Sequence, residues 1–561
     1  MSKGTKAISS LISQLLEARG LQKEDEIDAF LRPDYDAHLN DPFLLDDMEN
    51  AVGRIFYAIE NNEKITIYAD FDCDGIPAAV VLRDFFKKIG FDENVDIYIP
   101  HRHNEGYGFH KDAIEHIHKN GTKLIITVDV GINAIEAAKY SKKNNMDVII
   151  TDHHEMNGTL PDAVAVINPK RGEYPFNDLC GAGVAYKLVQ ALLVEGRRKD
   201  IPSFNAIKEG WEKWLLDMVG IATIADMVPL IDENRVLAHY GLTVLRKSPR
   251  PGIAALCRKL RIEQKNITED DIGFLIAPRI NAASRMDESH VALTLLQTSD
   301  ITEAEEAARQ LERLNRKRKG AVGALVREAR KRERERGENN PVYVTGSPEW
   351  KPSLLGLVAN SLADSHAGAV CVWGRDGKGN IKGSCRSDGS VHVVDMFVSS
   401  DEALEEYGGH RQAGGFSVSH ENVHRLSEVF NQNATVDDAN EDAKGEEEAL
   451  NTLSLGKASW ETLTDLQKLA PFGVGNEKPV FQFADVQFED VRVFGKDKNH
   501  TEIILGDTKV GGVRAFQFFV TPDSFTEPPS PGKKGTVLAT IERDTFNGQH
   551  AVALRIVDVR K

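Results

Sequence analysis

From about residue 51 to residue 170, short apolar runs alternate with helical stretches. The runs are ITIYA, DIYIP, KLIITVD, DVIITD and AVAVIN, separated by segments such as GINAIEAAKYSKKNN. Strands this uniformly apolar, alternating with helices, predict a mostly parallel sheet covered on both faces. A helical region follows, including WEKWLLDMVGIATIADMV. Beyond it, apolar residues fall at 304, 307, 308, 311, 314, 321, 322, 325 and 329, a helical period. This predicts a long connecting helix over 303–339 with an exposed basic face. Gly320 and Gly323 each cost ~1 kcal/mol relative to alanine, which predicts a bend or break there. The runs PVYVTG, GAVCVWG, NIKGSCRS and GGFSVS predict a second α/β unit over 340–433. Residues 450–561 hold further short β-type runs with Gly and Pro punctuation, which suggest a small OB-like β-barrel. Residues 1–50 read as short helices and turns, an N-terminal helical extension.

Composition changes this picture in two places. A chain of 561 residues exceeds a single core, so several domains are expected. Apolar content of 41% and charged content of 28% are ordinary for a soluble globular protein. No apolar stretch has the length of a membrane span, and the start lacks a signal-peptide core. Five scattered cysteines form no C-x-x-C pair and no disulfide framework, which points to a reducing cytoplasm. The net charge of −17 argues against a nucleic-acid partner when read alone. Its distribution is uneven, however. Residues 309–336 hold twelve Lys/Arg against four Glu, and residues 437–448 hold seven acids against one Lys. The acidic stretch 434–449 has the composition of a disordered linker, and the acidic total leaves room for a basic groove.

The candidate chemistry begins where the first apolar run ends, in KITIYADFDCDG. Three aspartates at alternate positions repel one another unless a cation or a special turn offsets them. An Asx-rich turn closed by glycine is one reading. A calcium loop fails, because its twelfth position is Val81 and the following segment is an apolar helix. An aspartyl-phosphate site, with Asp70 as nucleophile and Asp72 as acid, remains open at this point. Two further runs also end in acids, Asp129 in IITVDVG and Asp152 in VIITDHH, the latter followed by His153 and His154. In a parallel sheet ligands collect beyond the carboxyl ends of the strands, so these groups are expected to share one crevice. Asp226 ends an apolar helix, where a carboxylate conflicts with the helix dipole and a cation would remove the conflict. Carboxylates with one or two imidazoles suit Mn²⁺ or Mg²⁺. Two such ions ~4 Å apart suit phosphodiester or phosphoanhydride hydrolysis.

DFDCDG, TVDVG, TDHH and IADMVPL, in that order, resemble the four motifs of the DHH phosphoesterase superfamily. GGHRQAGGF (408–416) resembles the glycine-rich signature of its associated second domain. APRINAASRMDE, GSCRSDGSVHV and APFGVGNEKPVF resemble, more narrowly, the RecJ family of bacterial single-strand-specific 5′→3′ exonucleases. The resemblance spans roughly 20 to 561, and it removes the aspartyl-phosphate reading, which has no use for a histidine pair. It implies a parallel-sheet DHH catalytic domain over 51–302, a DHHA1-type substrate domain over 340–433, and a nucleic-acid-binding OB domain over 450–561.

The resemblance also implies roles. Asp72, Asp74, Asp129, His153 and Asp226 would ligate two Mn²⁺ or Mg²⁺ ions, with Asp129 bridging them. Asp70 and Asp152 would support or partly ligate the ions, and His154 would face the scissile phosphate. Arg102, Tyr107, Arg279, Asn281, Ser384, Arg386, Gly409 and His410 match positions that meet substrate. Arg forks and Gly-rich loops bind phosphates, and Tyr offers a stacking face. Tyr68 departs from the pattern of small-nucleotide members, which carry His there. The implied partner is single-stranded DNA, with a helicase or single-strand-binding protein beside it, no membrane, and a monomeric chain. The alternative is a phosphodiesterase of short oligoribonucleotides or dinucleotides, for which the basic helix and the C-terminal β domain are superfluous. A non-enzymatic scaffold that keeps the fold is disfavoured, because the motif acids and histidines are all present.

Overall fold

β1 (Ile65–Ala69) and β3 (Leu124–Val128) are buried at every position, and β4 (Asp147–Thr151) at all but its first. Such runs suit strands with both faces covered. Together with β2 (Val95–Tyr98) and β5 (Ala165–Ile167) they form a fully parallel sheet of order β2-β1-β3-β4-β5. The structure is a computed structural model, and it describes residues 9–336, 340–436, 451–495, 498–506, 512–544 and 551–561. The predicted acidic linker lies outside the described residues from position 437 onward. Among the described residues no helix is long and apolar enough to cross a membrane.

The chain divides into two compact units. The larger spans 39–228 and 237–444 and contains the parallel sheet. It also contains a second sheet of order β6-β7-β8-β10-β9, from β6 (Val342–Gly346), β7 (Ala369–Arg375), β8 (Ile381–Ser387), β9 (Glu406–His410) and β10 (Ala413–Val418). Only its β6–β7 pair is parallel. Between the sheets in sequence runs one helix, Ile301–Arg336, unbroken through Gly320 and Gly323. The expected break is thus absent. Ala304, Ala307, Ala308, Leu311 and Leu314 are buried in its first half, and Val326 and Ala329 in its second. Packing along this length outweighs the modest propensity cost of two glycines.

The smaller unit takes in the described residues up to His38, the segment Pro229–Val236, and the described C-terminal residues. β11 (Asn451–Thr452) lies beside β12 (Phe481–Phe494), which is followed by β13 (His500–Leu505), β14 (Val513–Gln517), β15 (Lys534–Asp544) and β16 (Ala551–Arg560). The order β12-β13-β14-β16-β15, with β15 pairing back to β12, closes a five-stranded barrel. Of the stretch 1–50, helices Ser10–Ala18 and Glu24–Leu31 place Ile12, Leu15, Leu16 and Phe30 in the barrel's own core. The buried Arg235 guanidinium donates to the carbonyls of Phe30 (2.6 Å) and Leu469 (3.0 Å) and lies over the Phe30 ring. That one side chain ties all three segments of the smaller unit together.

Candidate active site

The register of the parallel sheet sets the site. Ala69 pairs with Val128, Val128 with Thr151, and Thr151 with Ile167. The next residue on each strand is Asp70, Asp129, Asp152 or Asn168. The amides of the three acids continue the ladder, to Val128 O (3.2 Å), Thr151 O (3.0 Å) and Ile167 O (3.1 Å). Three buried carboxylates therefore stand abreast at the carboxyl edge of adjacent strands, where a ligand belongs. Asp129 adopts φ +62°, a left-handed backbone that Asp tolerates better than most residues.

The DFDCDG loop folds beneath them. Asp72 Oδ1 accepts the amides of Asp74 (2.8 Å) and Gly75 (3.2 Å). Gly75 opens the helix Gly75–Lys88, and a Cβ there would meet the Asp70 carbonyl oxygen at 2.5 Å. Asp74 accepts the amides of Gly181 (2.6 Å) and Ala182 (2.7 Å) at the start of helix Gly181–Arg198. A helix N-terminus aimed at a carboxylate is favourable. Gly181 is required there, because its Cβ would lie 2.5 Å from that of Asp129.

His153 Nε2 lies 3.2 Å from Asp129 Oδ1 and 3.7 Å from both Asp74 Oδ2 and Asp226 Oδ2. Asp226 caps the C-terminus of helix Leu216–Ala225, as expected. Three groups have ligand atoms close enough to hold one ion each: Asp70–Asp72–Asp129, Asp74–His153–Asp226 and Asp129–His153–His154. Asp129 belongs to two of them and touches the third through His153. Asp152 is committed elsewhere. Its oxygens accept from the amides of Ile132 (2.9 Å), His153 (2.8 Å) and His154 (3.2 Å), and from His154 Nδ1 (2.7 Å).

Burial and mutual repulsion raise most of these acids. Burial first, then Asp72, pushes Asp70 well above the usual carboxylate range. Burial followed by Asp74, Asp72 and Asp70 does the same to Asp129. Asp74 rises to about 7 and Asp226 to about 8 for the same pair of reasons. Burial, reinforced by the neighbouring His154, lowers His153 to about 4. Burial would lower His154 too, but its hydrogen bond to Asp152 prevails and raises it to about 9. Asp70 Oδ1 and Asp129 Oδ1 are buried with no hydrogen-bond partner among the described residues. Hard oxygen donors, one low-pKa imidazole and orphaned carboxylate oxygens fit Mn²⁺ or Mg²⁺.

Of the substrate candidates, Arg102 lies over the Phe71 ring at 4.4 Å, its charge acting on Asp70 and Asp72. Tyr107 is exposed, with its hydroxyl 3.2 Å from His154 Nδ1. Asn281 Oδ1 accepts the Cys73 amide at 2.8 Å and so anchors the DFDCDG loop. Arg279 is turned to the long helix, where it pairs with Glu312 at 2.8 Å. Ser384 and Arg386 on β8 meet at 3.2 Å. Gly409 and His410 are exposed on β9, and the charge of His410 reaches Glu155, next to His154. Tyr68, the departure noted in the sequence, gives its hydroxyl to Gly108 O (2.8 Å) and stacks on Tyr98. Its hydroxyl thus anchors the segment that carries Tyr107.

Sequence reasoning passed over the Gly181 and Ala182 amides and two arginines. Burial lowers Arg285 to about 9, followed by the like charges of Arg102, Arg318 and Arg386. Three guanidiniums whose charges act on a fourth, that of Arg285, make an anion-attracting region. Arg285 Nη1 donates to Ser353 O (2.7 Å), whose hydroxyl returns a bond to Arg285 O (2.9 Å).

Comparison with known proteins finds relatives over most of the chain. Residues 64–223 match the N-terminal domain of the DHH family, 339–435 the DHHA1 domain, and 451–558 the RecJ OB domain. The chain is 36% identical over 501 residues to the single-stranded-DNA-specific exonuclease RecJ of Bacillus subtilis, covering 89% of this chain and 62% of that protein's length. It is 30% identical over 557 residues to the exonuclease of the same name from Haemophilus influenzae, covering 97% and 95%. The crystal structure of RecJ in complex with Mn²⁺ from Thermus thermophilus superposes with a TM-score of 0.77 at 25% identity, covering 98% of this chain and 75% of that one.

Proposed function

The chain belongs to the RecJ family of single-stranded-DNA-specific exonucleases, and from that premise we propose that it degrades single-stranded DNA from the 5′ end to mononucleotides, using two Mn²⁺ or Mg²⁺ ions, in DNA repair and recombination. The observation that carries the reading is the sharing of Asp129 between two groups of metal-ligating side chains, with Asp70 Oδ1 and Asp129 Oδ1 buried without a hydrogen-bond partner. One ion would be held by Asp70, Asp72 and Asp129, the other by Asp74, His153 and Asp226, with Asp129 beside both. Such ions, when bound, lower the pKa of water and offset the charge of a phosphate.

The protein's own groups do the rest. Asp152 fixes the ring of His154 and keeps it charged to about pH 9, so His154 can donate to a phosphate oxygen through the neutral range. Tyr107, against that ring, offers a face to a base. Arg102, Ser384 and Arg386 bind the terminal 5′ phosphate, with Arg285 and Arg318 deepening the positive potential. Asn281 positions the DFDCDG loop, and the Arg279–Glu312 pair makes Arg279 an anchor of the long helix. Gly409 and His410 present an exposed hairpin to the strand backbone. Residues 51–302 are thus the hydrolytic domain, the helix Ile301–Arg336 the connection, 340–433 the part that reads the end, and 450–561 the strand-binding domain. The five cysteines, all free and buried, suit a cytoplasmic enzyme.

The test uses 5′- and 3′-labelled single strands of DNA and RNA with Mn²⁺, Mg²⁺ or chelator. Release of labelled mononucleotide from the 5′ end of DNA, abolished by chelator, is expected. Arg386→Lys should lower efficiency on 5′-phosphorylated strands about tenfold and change it far less for 5′-hydroxyl strands, since Lys cannot copy a bidentate fork. An unchanged ratio would place end recognition elsewhere.

A further inference from the structure

The three acids at the edge of the parallel sheet have a fourth neighbour, and it is an amide. Asn168 follows β5 in the row Asp70, Asp129, Asp152, Asn168, and it is fully buried. A carboxylate there would add one more like charge to a crowded edge. The amide adds none, and it carries a donor that a carboxylate lacks. Its Nδ2 donates to the His154 carbonyl at 3.0 Å, and its Oδ1 accepts the Lys170 amide at 2.9 Å. A carbonyl on one side and an N–H on the other leave the group only one way round. A second asparagine repeats the pattern from the loop after β3. Asn133 Nδ2 donates to Glu155 O at 2.9 Å, and its Oδ1 accepts the Asn157 amide at 2.8 Å.

Between them the two side chains bracket residues 153–157, which belong to no helix or strand. Backbone of this kind has no ladder to fix its place, so side chains must do it. His154 is held at three points. Asp152 Oδ1 accepts from its amide (3.2 Å) and its ring Nδ1 (2.7 Å), and Asn168 donates to its carbonyl. The ion-ligating groups are fixed by other bonds. Asp72 accepts the amides of Asp74 and Gly75, Asp74 accepts those of Gly181 and Ala182, and the His153 amide goes to Asp152. We infer that Asn168, supported by Asn133, is a positioning residue for hydrolysis that sets where His154 stands at the scissile phosphate. This rests on the nuclease reading, in which His154 donates to a phosphate oxygen. Loss of either asparagine releases His154 and leaves the ions in place. The rate then suffers while binding of strand and metal does not, a split that a general loss of structure would not produce.

The test measures kcat, KM and bound Mn²⁺ on the full chain, with 5′-phosphorylated single-stranded DNA as substrate. Asn168→Ala should lower kcat about a hundredfold, the cost of misplacing a reacting group by about 1 Å. Asn133 is exposed, so Asn133→Ala does not threaten folding, and it should lower kcat by a smaller factor. In both variants KM, the number of Mn²⁺ ions per chain and the circular dichroism spectrum should keep their wild-type values. Wild-type kcat in Asn133→Ala, or in folded Asn168→Ala, would overturn the inference. So would loss of Mn²⁺ or a raised KM in step with the fall in kcat, because the asparagines would then support the ions or the strand instead of His154. A wild-type chain that fails to hydrolyse single strands in Mn²⁺ would overturn the nuclease reading itself, before any variant is made.

Discussion

Asp129 depends on a residue that carries no side chain. A Cβ on Gly181 would lie 2.5 Å from the Asp129 Cβ and 2.9 Å from its carboxylate carbon, so one of the two must move. Misplacement of a reacting group by about 1 Å costs on the order of a hundredfold in rate. Gly181→Ala should therefore lower hydrolysis of single-stranded DNA by about that factor while the protein stays folded, as read by kcat and by circular dichroism on one preparation. Full activity in this variant would mean that the helix start can shift without disturbing Asp129. The aspartates and histidines were legible in the sequence because their chemistry lies in residue identity, and because each follows an apolar run. The amides that hold Asp74 were not. A backbone donor leaves no trace in residue type, and Gly181-Ala182 reads as any helix start. Arg279 shows the converse limit: its type suggested phosphate, but its partner, Glu312, lies 33 positions away.

At the level of elements, the continuous apolar runs identified all five strands of the catalytic sheet, and its register then set the acids side by side. The long helix was legible from its period, but its continuity was not, because the contacts that hold it through Gly320 and Gly323 come from distant sequence. The N-terminal helices were legible as helices, but their place in the barrel core was not, for the same reason. Nothing in residues 10–31 announces that Ile12, Leu15, Leu16 and Phe30 share a core with Phe481, Phe483 and Leu554. Deletion of 451–561 would strip those four residues of their partners. A chain ending at 450 should consequently show exposed apolar surface and aggregate, by size-exclusion chromatography and binding of a hydrophobic dye. A monodisperse product with no dye binding would show that the helices hold their place without the barrel.

For the whole molecule, the crowd of buried carboxylates makes stability depend on pH and on divalent ions. Asp74 and Asp226 rise from 3.8 in the unfolded chain to about 7 and about 8 when folded. Without ions, the folded state retains protons that the unfolded state has released, so stability falls as pH rises through those values. His153, lowered from 6.5 to about 4, acts in the opposite sense below pH 6.5. The window in which these acids act unopposed by His153 is therefore pH 6.5 to 8. Tm in chelator should fall across it, and Mn²⁺ should raise Tm more at pH 8 than at pH 6.5, because ions replace the protons. A Tm that climbs over this range in chelator would contradict the assignment. The net charge of −17 hid the Arg102–Arg285–Arg386 region, since a sum over the chain records no arrangement. The central claim is that two divalent ions share Asp129. The most direct measurement is Mn²⁺ binding by electron paramagnetic resonance at known protein concentration, on wild type and Asp129→Ala. Two ions per wild-type chain, magnetically coupled, and loss of coupling and of hydrolysis in the variant are the predicted results. One ion per wild-type chain at saturation, or two coupled ions with intact hydrolysis in Asp129→Ala, would contradict the account.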